Sequence, residues 1–310
     1  MTQVNMQQVK ELRDRTQAGL NDCRAAMVEA GGDMEKAVEI ILKKGLAKSA
    51  KRAGAIATEG VVTTALSADA KMGVIVEVNI QTDFAARNTD FLAFVDGVAK
   101  AALAAKNGAE LGAEPFPGGK DTVEATRQAL VGKLGENITV RRWERLSVDG
   151  AGKVHSYVHM GGKIGVLLAV RAGSDAAVKS PEFQKFVDDS AMQIAAMAPL
   201  YLTPSEVPED AKAKQSAIYE AQLAEEGKPE KARPKIIEGK LSKWMKEICL
   251  LDQQSVLDSE KTVEELRAGL AKSLGTEISL ARFVRLERGE GIDKPTGDDF
   301  AAEVAKMTGG

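Results

Sequence analysis

The chain is poor in the residues that usually carry chemistry. It holds two histidines and two cysteines in 310 residues, and aromatics make up only 4% of it. Cys23 and Cys249 lie far apart, so there is no cysteine pair at metal-ligand spacing, and the sequence fits a reducing compartment better than a disulfide framework. No apolar run approaches the roughly 18 residues that a membrane span needs. The N-terminal stretch MTQVNMQQVKELRDR lacks the apolar segment of a secretion signal. A cytoplasmic protein is the expectation.

The few candidate ligands do not cluster either. His155 and His159 have the i, i+4 spacing of a helical metal site, but Val154–His159 is rich in strand formers. In a strand the two rings share a face about 13 Å apart, too far to hold one ion. Gly118-Gly119-Lys120 and Gly161-Gly162-Lys163 resemble phosphate loops, yet each lacks the upstream glycine and the following Ser/Thr, so both read as turns. No nucleophile elbow, dinucleotide fingerprint or Walker loop occurs. Hence no catalytic residue, cofactor or metal is expected.

What the sequence does have is a soluble composition, 44% hydrophobic and 28% charged with net charge −3, over a length that suits two or more domains. Residues 4–44 read as three short helices. Val9 and Leu12 lie on one face of the first, and Cys23, Ala26 and Met27 on the second. Met34, Ala37, Val38, Ile41 and Leu42 recur at helical spacing in the third, before a stop at Gly45. Such a unit is a compact docking module. The cations between Lys43 and Arg52 then read as a solvated helix end and linker. The alternative is an RNA-binding patch, against which the lack of aromatics and the acidic balance of the chain count.

The rest of the chain is duplicated. Shifted by 92 residues, Gly73, Val74, Val78, Asp83, Ala85, Phe91 and Phe94 fall on Gly165, Val166, Val170, Asp175, Ala177, Phe183 and Phe186. Shifted by 140, Thr122, Val123, Glu124, Arg127, Leu130, Gly135 and Arg142 fall on Thr262, Val263, Glu264, Arg267, Leu270, Gly275 and Arg282. Each copy predicts a β-hairpin, two helices and a closing strand, an α+β unit with an antiparallel sheet covered by helices on one face. The two offsets differ by 48 residues, so the second copy carries an insertion of that size. Its helical segments, 210–226 and 231–246, have thin apolar stripes and read as a protruding antiparallel coiled coil.

The repeat also isolates one position. Asp83 recurs as Asp175, which suits a helix cap. Phe84 is matched by Ala176, so the pattern does not require an aromatic there. Phe84 either packs into its own copy's core or stands exposed beside a carboxylate as a docking tip. The repeat alone favours neither.

Asn79-Ile80-Gln81-Thr82-Asp83-Phe84-Ala85-Ala86-Arg87 strongly resembles the N-x-Q-T-D-F-V-A signature of the bacterial elongation factor Ts family. The stretch from Val9 to Cys23, Gly135-Glu136-Asn137-Ile138 with Arg141-Arg142, and Gly289-Glu290-Gly291-Ile292 are similar to further motifs of that family, in the same order. The resemblance implies a ubiquitin-associated-like three-helix module (1–54), a duplicated two-subdomain core (55–150 and 151–288), a coiled-coil insertion (about 205–248) and a C-terminal module (289–310). It implies a guanine-nucleotide exchange factor, not an enzyme, with no cofactor of its own. The partner would be the GTPase elongation factor Tu, with neither nucleic acid nor membrane involved and with room for a higher-order complex. Asp83 and Phe84, with Thr82, would insert near the partner's Mg²⁺ and promote release of GDP. Arg13, Leu20, Asn21 and Arg24 would face the partner from the N-terminal module, and Leu134, Gly135, His159, Val256 and Leu257 from the core. Leu20-Asn21 stand where the family often has two methionines, and Leu134 replaces an isoleucine.

Overall fold

A computed structural model describes residues 5–16, 18–52 and 54–293. Most of the expected C-terminal module therefore lies outside the described residues.

Three helices come first: α1 (Met6–Thr16), α2 (Leu20–Glu29) and α3 (Met34–Arg52). They close over their own small core of Val9, Leu12, Cys23, Ala26, Met27, Ala37 and Ile41. Helix α3 does not stop at Gly45 as expected but runs on to Arg52. Gly45 lies instead where α3 crosses a helix of the next unit. A Cβ placed on Gly132 of that helix would sit 3.0 Å from the Gly45 Cα. The glycine serves close approach between two backbones, which outweighs its poor helix propensity.

The first repeat unit follows: β1 (Glu59–Leu66), β2 (Met72–Ile80), a one-turn helix α4 (Asp83–Ala86), α5 (Thr89–Ala104), α6 (Val123–Leu134) and β3 (Ile138–Ser147). The second has β4 (Gly152–His159), β5 (Ile164–Ala172), α7 (Asp175–Val178) and α8 (Pro181–Met197). The inserted α9 (Glu209–Glu225) and α10 (Arg233–Ile248) come next, then α11 (Val263–Leu274) and β6 (Ile278–Glu287). Each unit forms a three-stranded antiparallel sheet, ordered β1-β2-β3 and β4-β5-β6. The fold is α+β.

The duplication extends to irregularities. A register shift falls between Glu77 and Val78 on β2, and at the matching place, between Ala169 and Val170, on β5. In both units an arginine one turn into the helix bridges a glutamate and the closing strand's first carbonyl. Arg127 holds Glu124 and the Ile138 carbonyl, and Arg267 holds Glu264 and the Ile278 carbonyl.

One expectation fails. The sheets are not one-sided, because β2 is buried from Gly73 to Ile80 and β5 from Gly165 to Val170. Helices cover one face through Val74, Val76, Val78 and Ile80. The other faces pack on each other through Val62, Ile75, Val154, Leu167 and Val284. Gly73 and Gly165 permit this contact. A Cβ on Gly73 would come within 2.8 Å of Val154, and one on Gly165 within 2.5 Å of Val62. The duplicated copies thus supply each other's missing layer.

The insertion leaves and returns side by side. Leu200 and Tyr201 both donate backbone hydrogen bonds to the Ile248 carbonyl (2.8 and 3.1 Å), and Leu250 donates to Tyr201 (2.9 Å).

Candidate functional site

The chain leaves β2 at Ile80 and turns through Gln81 and Thr82 into α4. The expected aspartate cap is not the cap. Thr82 takes that role, its hydroxyl accepting from the Ala85 amide, as Ser174 does for Ala177 in the second unit. Asp83 and Asp175 are the first helical residues, where a carboxylate still complements the amides of the helix start. Ala85 and Ala86 are buried and anchor the turn on the sheet. Asn88 then caps α5 through Asp90 and Phe91, so the path on both sides of Phe84 is specified.

That anchoring decides the open question about Phe84, because its ring is 85% exposed. Ala176 is exposed too, so this position faces solvent in both units and needs no aromatic for folding. Next to the ring, Asp83 pairs with Arg87 across one turn at 3.2 Å, with both side chains largely exposed.

The residues around this tip converge. Helix α6 ends at Leu134, and Gly135 adopts the left-handed conformation (φ 74°) that lets its amide reach the Val131 carbonyl. The following Glu136 accepts from the Thr82 amide at 3.1 Å and from the Thr82 hydroxyl at 2.7 Å. The Asn137 amide donates to the Gln81 side chain at 2.7 Å, and the Asn137 side chain donates to the Ala55 carbonyl at 2.8 Å. The Leu134–Gly135 corner is therefore tied to the Phe84 turn. The same corner lines a cleft of about 410 Å³, with Gly132 and Lys133 on its side and Gly19, Asp22 and Arg52 of the three-helix unit on the other. Leu20, Asn21 and Arg24, at the start of α2 beside that cleft, are exposed, as is Arg13 on α1.

The remaining expected residues belong to the second unit. His159 ends β4 and is exposed, with its Nδ1 3.0 Å from the Tyr157 hydroxyl. Val256 and Leu257 are exposed on the loop before α11, where the Val256 amide donates to the Gln193 side chain at 2.8 Å. His155 turns inward to Asp188 at 3.1 Å. Burial pushes its imidazole below the ordinary histidine value, against the pull of Asp188. Among the described residues no three His, Cys, Asp or Glu side chains converge on a metal-sized site.

One polar cluster is not evident from sequence reasoning. Glu77 is fully buried on the sheet face that meets the other unit. Its carboxylate accepts from Arg141 (3.1 and 3.2 Å), Arg142 (2.5 Å), Asn79 (3.0 Å) and the Gly289 amide (2.7 Å). Burial pushes this carboxyl up, but the Gly289 amide, Asn79 and Arg142 outweigh it and hold it below the ordinary range. Arg141 and Arg142 also reach the carbonyls of Glu290 and Glu287, so the cluster fixes the chain leaving β6. The one signal in the sequence is that the second unit has Ala169 in place of Glu77.

With this geometry in view, comparison with known proteins is decisive. The family model described as "Elongation factor TS" matches residues 81–290. The chain belongs to the elongation factor Ts family. It is 46% identical over 308 residues to an elongation factor Ts of Clostridium botulinum (strain Alaska E43 / Type E3), covering 99% of each chain. It is 45% identical over 310 residues to one from Clostridium perfringens (strain SM101 / Type A), again covering 99% of each. The elongation factor Ts match begins at Gln81, on the turn that carries Phe84.

Proposed function

We propose that this chain is a guanine-nucleotide exchange factor that binds the GTPase elongation factor Tu and promotes release of its GDP during polypeptide elongation. The observation that carries the reading is an aromatic ring 85% exposed on a turn held from both sides, at a place where the duplicate has alanine. Burying such a ring in a partner yields about 1.5–3 kcal/mol. Asp83 beside it adds a charged, hydrogen-bonding group. Inserted near the partner's Mg²⁺, the pair would disturb the largest local charge that holds the nucleotide. Linkage then requires GDP to weaken the partner's affinity for this chain by the ratio in which the chain weakens its affinity for GDP.

In this reading residues 1–54 form a ubiquitin-associated-like module whose Arg13, Leu20, Asn21 and Arg24 touch the partner across the cleft beside Leu134 and Gly135. His159, Val256 and Leu257 make a second contact from the 151–288 subdomain. Residues about 205–248 form a coiled-coil arm, and 289–310 a C-terminal module that packs on the partner. The chain acts in the cytoplasm, without a catalytic residue or cofactor. An RNA-binding role is not favoured: Lys43 is paired with Glu39 at 2.9 Å and Lys44 with Glu29 at 2.7 Å.

The test is stopped-flow release of a fluorescent GDP from elongation factor Tu. Phe84→Ala should lose most of the acceleration, whereas a variant as fast as the parent chain would overturn the role given to Phe84.

A further inference from the structure

The two copies of the β-strand-to-helix turn differ in one corner, and the differences work together. Gln81, Thr82, Phe84, Glu136 and Asn137 in the first unit stand where the second has Gly173, Ser174, Ala176, Thr276 and Glu277. Both turns have the same local frame. Thr82 and Ser174 cap them, and Ala85 and Ala177 are buried beneath. Both turns are tied to the corner after the following helix, but only the first is tied by side chains. Glu136 accepts the Thr82 amide and hydroxyl together, and Gln81 accepts the Asn137 amide. In the second unit the tie is through the backbone, the Gly173 amide donating to the Glu277 carbonyl at 2.9 Å, and among the described residues no side-chain hydrogen bond joins Ser174 to Thr276.

The fold does not require a carboxylate here, since the second unit keeps the same turn with a single backbone hydrogen bond to its corner. In the first unit a carboxylate gives both oxygens to Thr82, two charge-assisted bonds where the second unit makes one neutral backbone bond, and this extra hold falls on the residue beside the Asp83–Phe84 pair. The copy that has the carboxylate brace is also the copy that carries the exposed ring. An exposed ring on a mobile turn would have to be ordered on docking, and ordering reduces the affinity and rate that its burial supplies.

We propose that Glu136, seconded by Gln81, is a positioning residue that holds the Thr82–Phe84 turn rigid and in register with Leu134–Gly135, so that Phe84 meets its partner already placed. Glu136 acts through Thr82 and the ring and does not itself need to touch the partner. The proposal rests on the exchange reading given above, and it makes a claim about the free chain that can be tested apart from that reading.

The experiment has two arms. In the first, GDP release from elongation factor Tu is measured at saturating levels of this chain. Glu136→Thr, which installs the second unit's residue, should slow release about tenfold, the scale of losing a hydrogen bond to a charged group. Glu136→Gln keeps an acceptor for the Thr82 hydroxyl and should recover part of the loss. Combined with Phe84→Ala, Glu136→Thr should cost nothing further, because the brace has then lost what it positions. An unchanged rate in the single variant, or a full additional loss on top of Phe84→Ala, overturns the proposal.

In the second arm, amide hydrogen exchange is followed in the free chain. The Ala85, Ala86 and Arg87 amides, which close this turn, should exchange about tenfold faster in Glu136→Thr. The matching Ala177, Val178 and Lys179 amides of the second unit act as an internal control and should not change. Equal protection of the first turn in parent and variant overturns the brace. If the parent chain does not accelerate GDP release at all, the exchange reading falls and the amide comparison alone decides the brace.

Discussion

Gly45 and Gly132 meet where α3 crosses α6, and the contact is asymmetric. A Cβ added to Gly132 would lie 3.0 Å from the Gly45 Cα, while a Cβ added to Gly45 meets nothing within 4 Å. This crossing is the seat of the three-helix unit on the core. The two glycines should therefore respond oppositely to substitution. Gly45→Ala should raise stability by up to about 1 kcal/mol, through better helix propensity and a less flexible unfolded chain. Gly132→Val should force the helices apart and cost about 1–3 kcal/mol. Thermal unfolding of the two variants decides it, and a stabilising Gly132→Val would show that the crossing is loose.

Gly73 and Gly165 make a matched pair at the sheet–sheet contact. Gly73→Ala drives a methyl toward Leu66 and Val154, and Gly165→Ala toward Val62 and Ile75. Each should destabilise the chain by about 1–3 kcal/mol. Denaturant unfolding should give similar losses for both, since each glycine lies under the other unit's side chains.

Glu77 should make stability depend on acid. Its folded carboxyl is held below the ordinary glutamate value, so its contribution is fully present above the unfolded value of about 4.3 and is lost as pH falls through the lower folded value. Glu77→Gln should cost about 2–4 kcal/mol near neutral pH, because it leaves Arg141 and Arg142 without their shared carboxylate. The gap between parent and variant should narrow on acidification. A gap that is constant from neutral pH down to about 3 would mean that charge is not what Glu77 contributes.

The exposed turn predicts a dissociation between stability and activity. Phe84→Ala and Ala176→Phe should both unfold within about 0.5 kcal/mol of the parent, since both positions face solvent. Only the first should lose GDP-release activity, and Ala176→Phe should not restore it to a Phe84→Ala chain. Restoration would mean that the second turn, which lacks the carboxylate brace, serves as well.

Much of this architecture is legible in the amino-acid sequence. The offsets between copies make β2 equivalent to β5 and α6 to α11, and the structure extends the equivalence to the register shift beside Val78 and Val170. The failures share a cause, which is that the deciding neighbour lies in a distant part of the chain. Gly45 looks like a helix stop because Gly132 is not visible from its surroundings. Glu77 looks like an outward strand residue because the layer that covers it belongs to the other unit. Phe84 is ambiguous in the repeat because an aromatic beside a carboxylate suits a core edge and a docking tip equally. The two alanines that follow it, buried as anchors, settle the matter in three dimensions. Glu136 lies within the Gly135–Ile138 motif, but one sequence cannot show that it reaches back to Thr82.

The inserted helices have a further consequence. Their two legs begin and end at Tyr201 and Cys249, which are already neighbours in a parallel bridge. Leu202 still packs into the second unit's core, but the helices beyond Val207 can be lengthened, shortened or exchanged while the ends keep their spacing. The arm is a cassette, free to vary at a pace independent of the body that carries it.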